Sequence, residues 1–234
     1  MILCGHQPSY LPGLQFFSKV MHSDAFMYVP HCQYVAGSWH THNFIRTGRI
    51  TVPVHATLGD SLNEVKIDYT KNWQRKHLRA IEMAYVGSDF FRTYYNDLQS
   101  IINFKYPNLA KLNIALIDYL TQALGCGKFD KCFYTSSNGS HLNNSNPIDM
   151  IVSMCKQVNC DTYLSNEGSH AYIDNMAEKR MADSGITHRW FTFTDPDYGQ
   201  GENSPNERRL SVLDILFTQG PRAAPMIYAA GGIL

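Results

Sequence analysis

The chain has 234 residues, with 20 basic and 20 acidic side chains and a formal net charge of zero at pH 7. This balance lacks the basic excess expected of a protein that holds a nucleic-acid backbone. Hydrophobic residues make up 44% of the chain and charged residues 17%, which argues against an intrinsically disordered protein. The length fits one domain, and we expect residues 1–234 to form it.

Apolar patterns near the N-terminus predict a strand–helix–strand unit. Residues 2–4 and 25–29 have the apolar runs of buried strands, and Leu14–Met21 has apolar residues at helical spacing. Such a unit predicts an α/β fold with a Rossmann-like parallel or mixed sheet flanked by helices. Ligands of these sheets bind beyond the carboxyl ends of the strands, so residues 6–12 should lie beside the segment that follows Val29.

The rest of the chain is predicted to alternate helices, strands and loops. Residues 108–124 show the clearest 3.6-residue period, and a helical portion of about 73–124 should be inserted in the sheet or packed on it. The other predicted elements are helices at 73–83, 90–102, 147–158 and 210–217, strands at 50–54, 161–164 and 190–193, and loops at 37–43, 135–146 and 195–209.

Cysteine spacing and the N-terminal segment indicate the compartment. The six cysteines form no CxxC pair, so neither a zinc site nor a disulfide framework is predicted. The first residues lack the pattern of a secretory leader, and no apolar stretch approaches the ~20 residues of a membrane span. We therefore expect a cytoplasmic protein with reduced thiols and no membrane span.

Histidines supply the candidate catalytic groups, because imidazole exchanges protons near neutral pH. Five of the ten histidines lie in the first fifth of the chain. His6 follows the first predicted strand and His31 follows the second, so we predict that one of them acts as a general base. His31, His40 and His42 could instead bind a divalent metal, but no carboxylate is near them in sequence, and no metal site is predicted.

Amide and aromatic side chains around these histidines are typical of a pocket for a polar, ring-shaped ligand. The predicted substrate-binding residues on one wall are Gln7, Tyr10, Gln33, Trp39 and Asn43, and those on the other wall are Tyr163, Ser165, Tyr198 and Gln200.

Segments at both ends of the chain resemble the WbqC-like protein family. The resemblance is carried by HQPSYLPGLQFFSKV and LSVLDILFTQG, with TYLSNEGSHAYID and DYGQ between them in the same order. It implies a bacterial protein of O-antigen or other surface-polysaccharide biosynthesis that transfers a small acyl or glycyl-type aminoacyl group to a sugar. Pro30 and His31 stand where an acidic pair is common in the family, and Thr41 and His42 where Asn-Arg is usual. These departures imply a different acceptor, as in a specialised-metabolite pathway.

Three functions follow from these features. The first is an acyl or aminoacyl transferase that acts on a sugar, a sugar-nucleotide-like substrate or another small polar acceptor. The second is a non-catalytic ligand-binding or scaffold protein of such a pathway, and the third is nucleotidyltransferase-like chemistry at the His6 loop. The one nucleic acid considered is an aminoacyl-tRNA donor, which would need a basic patch such as Lys71, Arg75, Lys76 and Arg79. The sequence identifies neither a cofactor nor the oligomeric state.

Overall fold

A computed structural model describes residues 1–126, 130–133, 146–200 and 210–234 of the chain. Its strands are β1 Ile2–His6, β2 Ala25–Tyr28, β3 His42–Ile45, β4 Gly48–Thr51, β5 Val54–His55, β6 Lys66–Ile67, β7 Asp130–Phe133, β8 Thr162–Asn166, β9 Thr187–Phe193 and β10 Gly231–Ile233. Its α-helices are α1 Leu14–Met21, α2 Trp73–Tyr85, α3 Phe91–Asn103, α4 Leu109–Ala123, α5 Pro147–Gln157, α6 Asn175–Asp183, α7 Leu213–Gln219 and α8 Ala223–Ala229.

The central sheet has the strand order β10-β9-β8-β1-β2-β7. The five strands from β9 to β7 are mutually parallel, and β10 runs antiparallel to β9 at the edge. From β1 the chain continues to β2 and β7 on one side of the sheet, and later to β8 and β9 on the other side. The strand order therefore reverses between β1 and β8, and the predicted α/β class with a mostly parallel sheet is confirmed.

Helices pack on both faces of the sheet because side chains alternate along each strand. Cys4 and Leu164 face the larger core, to which α1, α4 and α7 also contribute. Leu3 and Tyr163 face a smaller core that is built with α5 and α6. The predicted arrangement of a sheet flanked by helices is therefore confirmed.

The helical portion α2–α4 packs on the face of the sheet that carries the larger core. Asn108 caps α4 by accepting a hydrogen bond from the Lys111 amide at 2.9 Å. The Tyr28 hydroxyl of β2 donates to Asp118 of α4 at 2.9 Å, which links the two layers. The three helices predicted between residues 73 and 124 agree with α2, α3 and α4 to within a few residues.

Several element boundaries differ from the predictions. The strand predicted at 50–54 is split into β4 and β5 at Pro53, which has no amide hydrogen to donate to a ladder. Part of the predicted loop 37–43 forms the start of β3, because His42 and Asn43 pair with β4. The helix predicted from residue 210 begins at Leu213, since Leu210 and Ser211 form bridges to Phe44 and Gly13.

Parts of two predicted loops, 135–145 and 201–209, lie outside the described residues. In the segments that the structure does describe, no helix combines the length and the apolar character needed to cross a membrane.

Candidate functional site

A cavity of about 470 Å³ opens where β1, β8 and β9 end. The last residue of each strand lines it: His6 from β1, Asn166 from β8 and Phe193 from β9. The cavity thus lies at the carboxyl edge of the parallel strands and beside the reversal of strand order, where ligands of open α/β sheets bind. Its volume is within the range of small-molecule sites.

His6 and Asn166 end neighbouring strands on the same face of the sheet. β1 and β8 pair Ile2 with Thr162 and Leu3 with Tyr163, and continuing this parallel register brings His6 level with Asn166. Within the described part of the chain, the buried Asn166 Oδ1 has no hydrogen-bond partner. An unpaired buried acceptor is costly, so a ligand that donates a hydrogen bond there would relieve a real penalty.

The imidazole of His6 is held in one tautomer. Its Nδ1 donates a hydrogen bond to the Gln7 carbonyl oxygen at 2.7 Å. The ring hydrogen is therefore on Nδ1, and Nε2 carries the lone pair that can accept a proton. The ring also packs edge-on against Phe16, with 4.9 Å between centroids. Burial and the nearby Lys19 ammonium together lower the pKa of His6 to about 3. His6 is therefore neutral at pH 7 and can accept a proton at Nε2.

The first turn of α1 forms a second wall of the cavity. Gly13, Leu14, Gln15 and Phe16 all line it, and none of the described side chains caps the amides of this turn. The amides at a helix start have no partners within the helix and carry the positive end of its dipole. This wall can therefore stabilise negative charge that develops on a bound group.

Trp39 and Asn43 also line the cavity, with different roles. Trp39 is 42% exposed and stacks on His42 at 5.0 Å between centroids, so it offers an aromatic face to a ligand. The amide of Asn43 is already engaged: Nδ2 donates to the Leu11 carbonyl at 2.6 Å, and Oδ1 accepts from the Phe44 amide at 2.8 Å. Asn43 thus supports the loop in which Leu11 has a φ of 43°.

The predicted base His31 and the other residues predicted for the first wall lie away from the cavity. His31 is exposed and its Nδ1 accepts from Asn63 at 3.2 Å, while Gln33 forms a bridge with Ser61. Tyr10 is fully buried, and its hydroxyl donates to His77 Nδ1 at 2.8 Å. Gln7 also does not line the cavity, because its Oε1 accepts a hydrogen bond from His40 Nε2 at 2.6 Å.

The predicted second wall is not brought to the cavity either. Tyr163 packs in the smaller core, and Ser165, two residues along β8, shares that side of the sheet, opposite to Asn166. The Tyr198 hydroxyl bonds to buried Asp214. Gln200 braces its own loop, with its Nε2 donating to the Pro196 carbonyl at 3.1 Å.

Of the residues that line the cavity, the sequence predicted His6, Trp39 and Asn43, and it missed several polar and aromatic ones, among them Ser9, Gln15, Asn166, Phe193 and Asp195. The predicted strands indicated the correct edge of the sheet, but the strand predicted at 161–164 stopped two residues before Asn166. Extending that strand to the polar pair Ser165-Asn166 and assigning the faces by alternation would have identified Asn166. In the described ranges no group of three His, Cys, Asp or Glu side chains is arranged to hold a metal ion.

Comparison with known proteins gives one finding that covers nearly the whole chain. Neither curated proteins nor solved structures provide a match. The model of the WbqC-like protein family matches residues 7–225. This range includes every residue that lines the cavity except His6, which lies one position before it. This chain therefore belongs to the WbqC-like protein family.

Proposed function

We propose that this protein is a cytoplasmic transferase, acting as a single domain of residues 1–234. It moves a small acyl or glycyl-type aminoacyl group onto a hydroxyl or amine of a sugar, a sugar-nucleotide-like molecule or another small polar acceptor. Such a reaction would serve surface-polysaccharide or specialised-metabolite biosynthesis. The observation that carries the proposal is the neutral His6 imidazole at the cavity beside the reversal of strand order. Its Nδ1 donates to the Gln7 carbonyl, so Nε2 can accept a proton.

The reaction assigns one role to each wall of the cavity. His6 Nε2 removes the proton of the acceptor hydroxyl or amine as the acceptor oxygen or nitrogen attacks the acyl carbonyl carbon. The carbonyl oxygen becomes an oxyanion, which the amides in the first turn of α1 stabilise. When the tetrahedral intermediate collapses, the bond to the leaving group breaks and the His6 imidazolium returns its proton to that group.

Features of the cavity favour a polar acceptor with one apolar face. Trp39 and Phe193 offer aromatic surface, while Ser9 and Asn166 offer hydrogen-bonding groups. Sugars combine such faces with hydroxyls, and a ring stacked on Trp39 can direct its hydroxyls inward. The same arrangement fits the predicted sugar or sugar-nucleotide-like substrate. Of the two predicted bases, the proposal retains His6, since His31 lies outside this cavity.

The test compares His6→Asn with His31→Asn in the purified full chain. Each variant is incubated with acyl thioesters or aminoacyl-tRNA as donors and with sugars or sugar nucleotides as acceptors, and acylated products are detected by mass spectrometry. We expect His6→Asn to lose about 10²–10⁴-fold in rate, as for loss of a general base, and His31→Asn to keep the rate. Equal rates in wild type and His6→Asn would refute the assignment.

A non-catalytic ligand-binding role is the second candidate. It is favoured by Pro30 and His31, which stand where the resemblance to the family implies an acidic pair. In that case calorimetric titration should detect binding of sugar nucleotides, and mass spectrometry should detect no acylated product with any of the donors. Release of pyrophosphate from a nucleoside triphosphate and a sugar phosphate would instead indicate nucleotidyl transfer at His6.

A further inference from the structure

One polar residue interrupts the buried face of α4. Asn113 is 0% exposed and is surrounded by the large apolar core. Its Nδ2 donates two hydrogen bonds, to the Pro8 carbonyl at 3.0 Å and to the His40 carbonyl at 2.8 Å. A single side chain therefore joins two loops that are 32 positions apart in the sequence.

Both of these loops supply residues to the cavity. The loop after β1 carries Ser9, next to Pro8, and the loop before β3 carries Trp39, next to His40. The two loops also bond directly, since the Tyr10 amide donates to the Trp39 carbonyl at 2.9 Å. Asn113 thus bonds to both loops from α4, at positions adjacent to the cavity residues.

A path of hydrogen bonds leads from Asn113 to the proposed base. Asn113 holds the backbone of His40, and His40 Nε2 donates to Gln7 Oε1 at 2.6 Å. The backbone carbonyl of the same Gln7 accepts from His6 Nδ1 at 2.7 Å. Gln7 is therefore fixed by its side chain while its main chain sets the tautomer of His6.

We propose that Asn113 is a positioning residue, which acts through His40 and Gln7 to hold His6 with Nε2 directed at the cavity. The proposal rests on the proposed function for the role of His6 as base. Asn113 Oδ1 has no hydrogen-bond partner among the described residues, so the amide carries an unsatisfied acceptor in the core. That cost is consistent with a residue whose two donors orient a site.

The test follows His6 directly, so that it needs no substrate. Long-range ¹H–¹⁵N spectra of the imidazole report its tautomer and pKa in wild type, Asn113→Leu and Gln7→Met. We expect one tautomer and a pKa near 3 in wild type. Either substitution should give mixed tautomers and raise the pKa toward 6.5, because a loosened loop admits water to the ring.

Thr121→Val is the matched control for Asn113→Leu. Thr121 is also buried on α4, but its hydroxyl donates within the helix, to the Ile117 carbonyl at 2.7 Å. Circular dichroism and thermal unfolding establish that each variant is folded. Where turnover is detected, Asn113→Leu should lower kcat/KM about 100-fold, as for a small misplacement of a catalytic group, and Thr121→Val should not.

Two outcomes overturn the proposal. The first is a folded Asn113→Leu whose His6 tautomer and pKa equal those of Thr121→Val. The second, which decides the matter if Asn113→Leu does not fold, is an unchanged His6 spectrum in Gln7→Met, since Gln7 is exposed and its substitution leaves the core intact. The transferase assays could show no product while the His6 spectra change as expected in the variants. That result would refute the proposed function and support the positioning role of Asn113.

Discussion

Arg46 and Asp214 form a two-point ion pair between residues 168 positions apart in the sequence. Nε of Arg46 lies 2.6 Å from Oδ1 of Asp214, and Nη2 lies 3.4 Å from Oδ2. The Asp214 side chain is 0% exposed and also bonds to the hydroxyls of Tyr85 and Tyr198. The pair therefore ties the turn between β3 and β4 to α7 and to the loop that follows β9.

Replacing Arg46 should strongly destabilise the fold. Arg46→Met removes the cation but leaves the Asp214 carboxylate buried, and breaking a buried pair in this way costs about 3–5 kcal/mol. Urea unfolding of wild type and variant measures the change in the free energy of unfolding.

A matched control is the exposed pair of Arg180 and Asp149, with the same N···O distance of 2.6 Å but exposures of 48% and 64%. Arg180→Met should cost less than about 1 kcal/mol, because water solvates the carboxylate that remains. Similar losses in Arg46→Met and Arg180→Met would contradict the assignment of Arg46 to a buried pair.

Substitution of Trp39 should weaken ligand binding without unfolding the protein. Its ring is partly exposed at the cavity and packs mainly on His42. Loss of a stacking face is worth about 0.5–1.5 kcal/mol, so Trp39→Ala should raise the Kd for a bound sugar or sugar nucleotide up to about tenfold. Calorimetric titration measures this change.

Trp39→Phe retains an aromatic face and should retain most of the affinity. Tyr172→Ala is the control, because Tyr172 is similarly exposed at 44% but does not line the cavity. An equal loss of affinity in the Tyr172 variant would show that Trp39 has no specific contact with the ligand.

The location of the site follows from the sequence more readily than its residues do. Apolar runs predict β1 and β2, the helical spacing between them predicts a parallel pair, and a general rule for such sheets then identifies the edge that holds the cavity. Those inferences depend on patterns of many residues and tolerate errors of one or two positions.

The roles of single amides and aromatics could not be predicted in this way. The side-chain amides of Asn43 and Asn113 both donate to loop carbonyls. In the sequence, such an asparagine cannot be distinguished from one whose amide binds a sugar hydroxyl. Ser165 and Asn166 are neighbours, yet an alternation of faces along β8 sends only Asn166 to the cavity, so a one-residue error in register reverses the assignment. Tyr10 has both an aromatic ring and a hydroxyl, and its partner His77 is 67 positions away.

The pH dependence of catalysis should carry the signature of a buried base. With a pKa near 3, His6 stays neutral from pH 7 to pH 5, so kcat/KM for a hydroxyl acceptor should be nearly constant over this range. A base with the ordinary histidine pKa of 6.5 would lose roughly thirtyfold at pH 5. Initial rates at subsaturating acceptor measure the profile, with circular dichroism at each pH to verify folding. An inflection near pH 6.5 that disappears in His6→Asn would contradict the buried-base assignment.

Stability should fall as the pH drops below 6.5, because His77 is buried in its neutral form. Its Nδ1 accepts from the Tyr10 hydroxyl at 2.8 Å, its Nε2 donates to the Thr51 carbonyl at 3.1 Å, and burial lowers its pKa to about 4. Between pH 6.5 and pH 4 the unfolded chain binds a proton at this residue and the folded chain does not, so acid favours unfolding. His77 alone should remove about 2 kcal/mol from the free energy of unfolding between pH 8 and pH 5.

Urea unfolding of wild type, His77→Gln and His31→Gln at pH 8, 6 and 5 tests this contribution. His77→Gln should be less stable than wild type at pH 8, because it disturbs the bonds to Tyr10 and Thr51. Its stability should then decline less between pH 8 and pH 5, because it lacks the buried imidazole. His31→Gln removes an exposed imidazole instead and is the control for the loss of a histidine outside the core. Parallel pH curves for His77→Gln and wild type would show that the protonation of His77 does not drive acid unfolding, since only a group with different pKa values in the two states contributes to the slope.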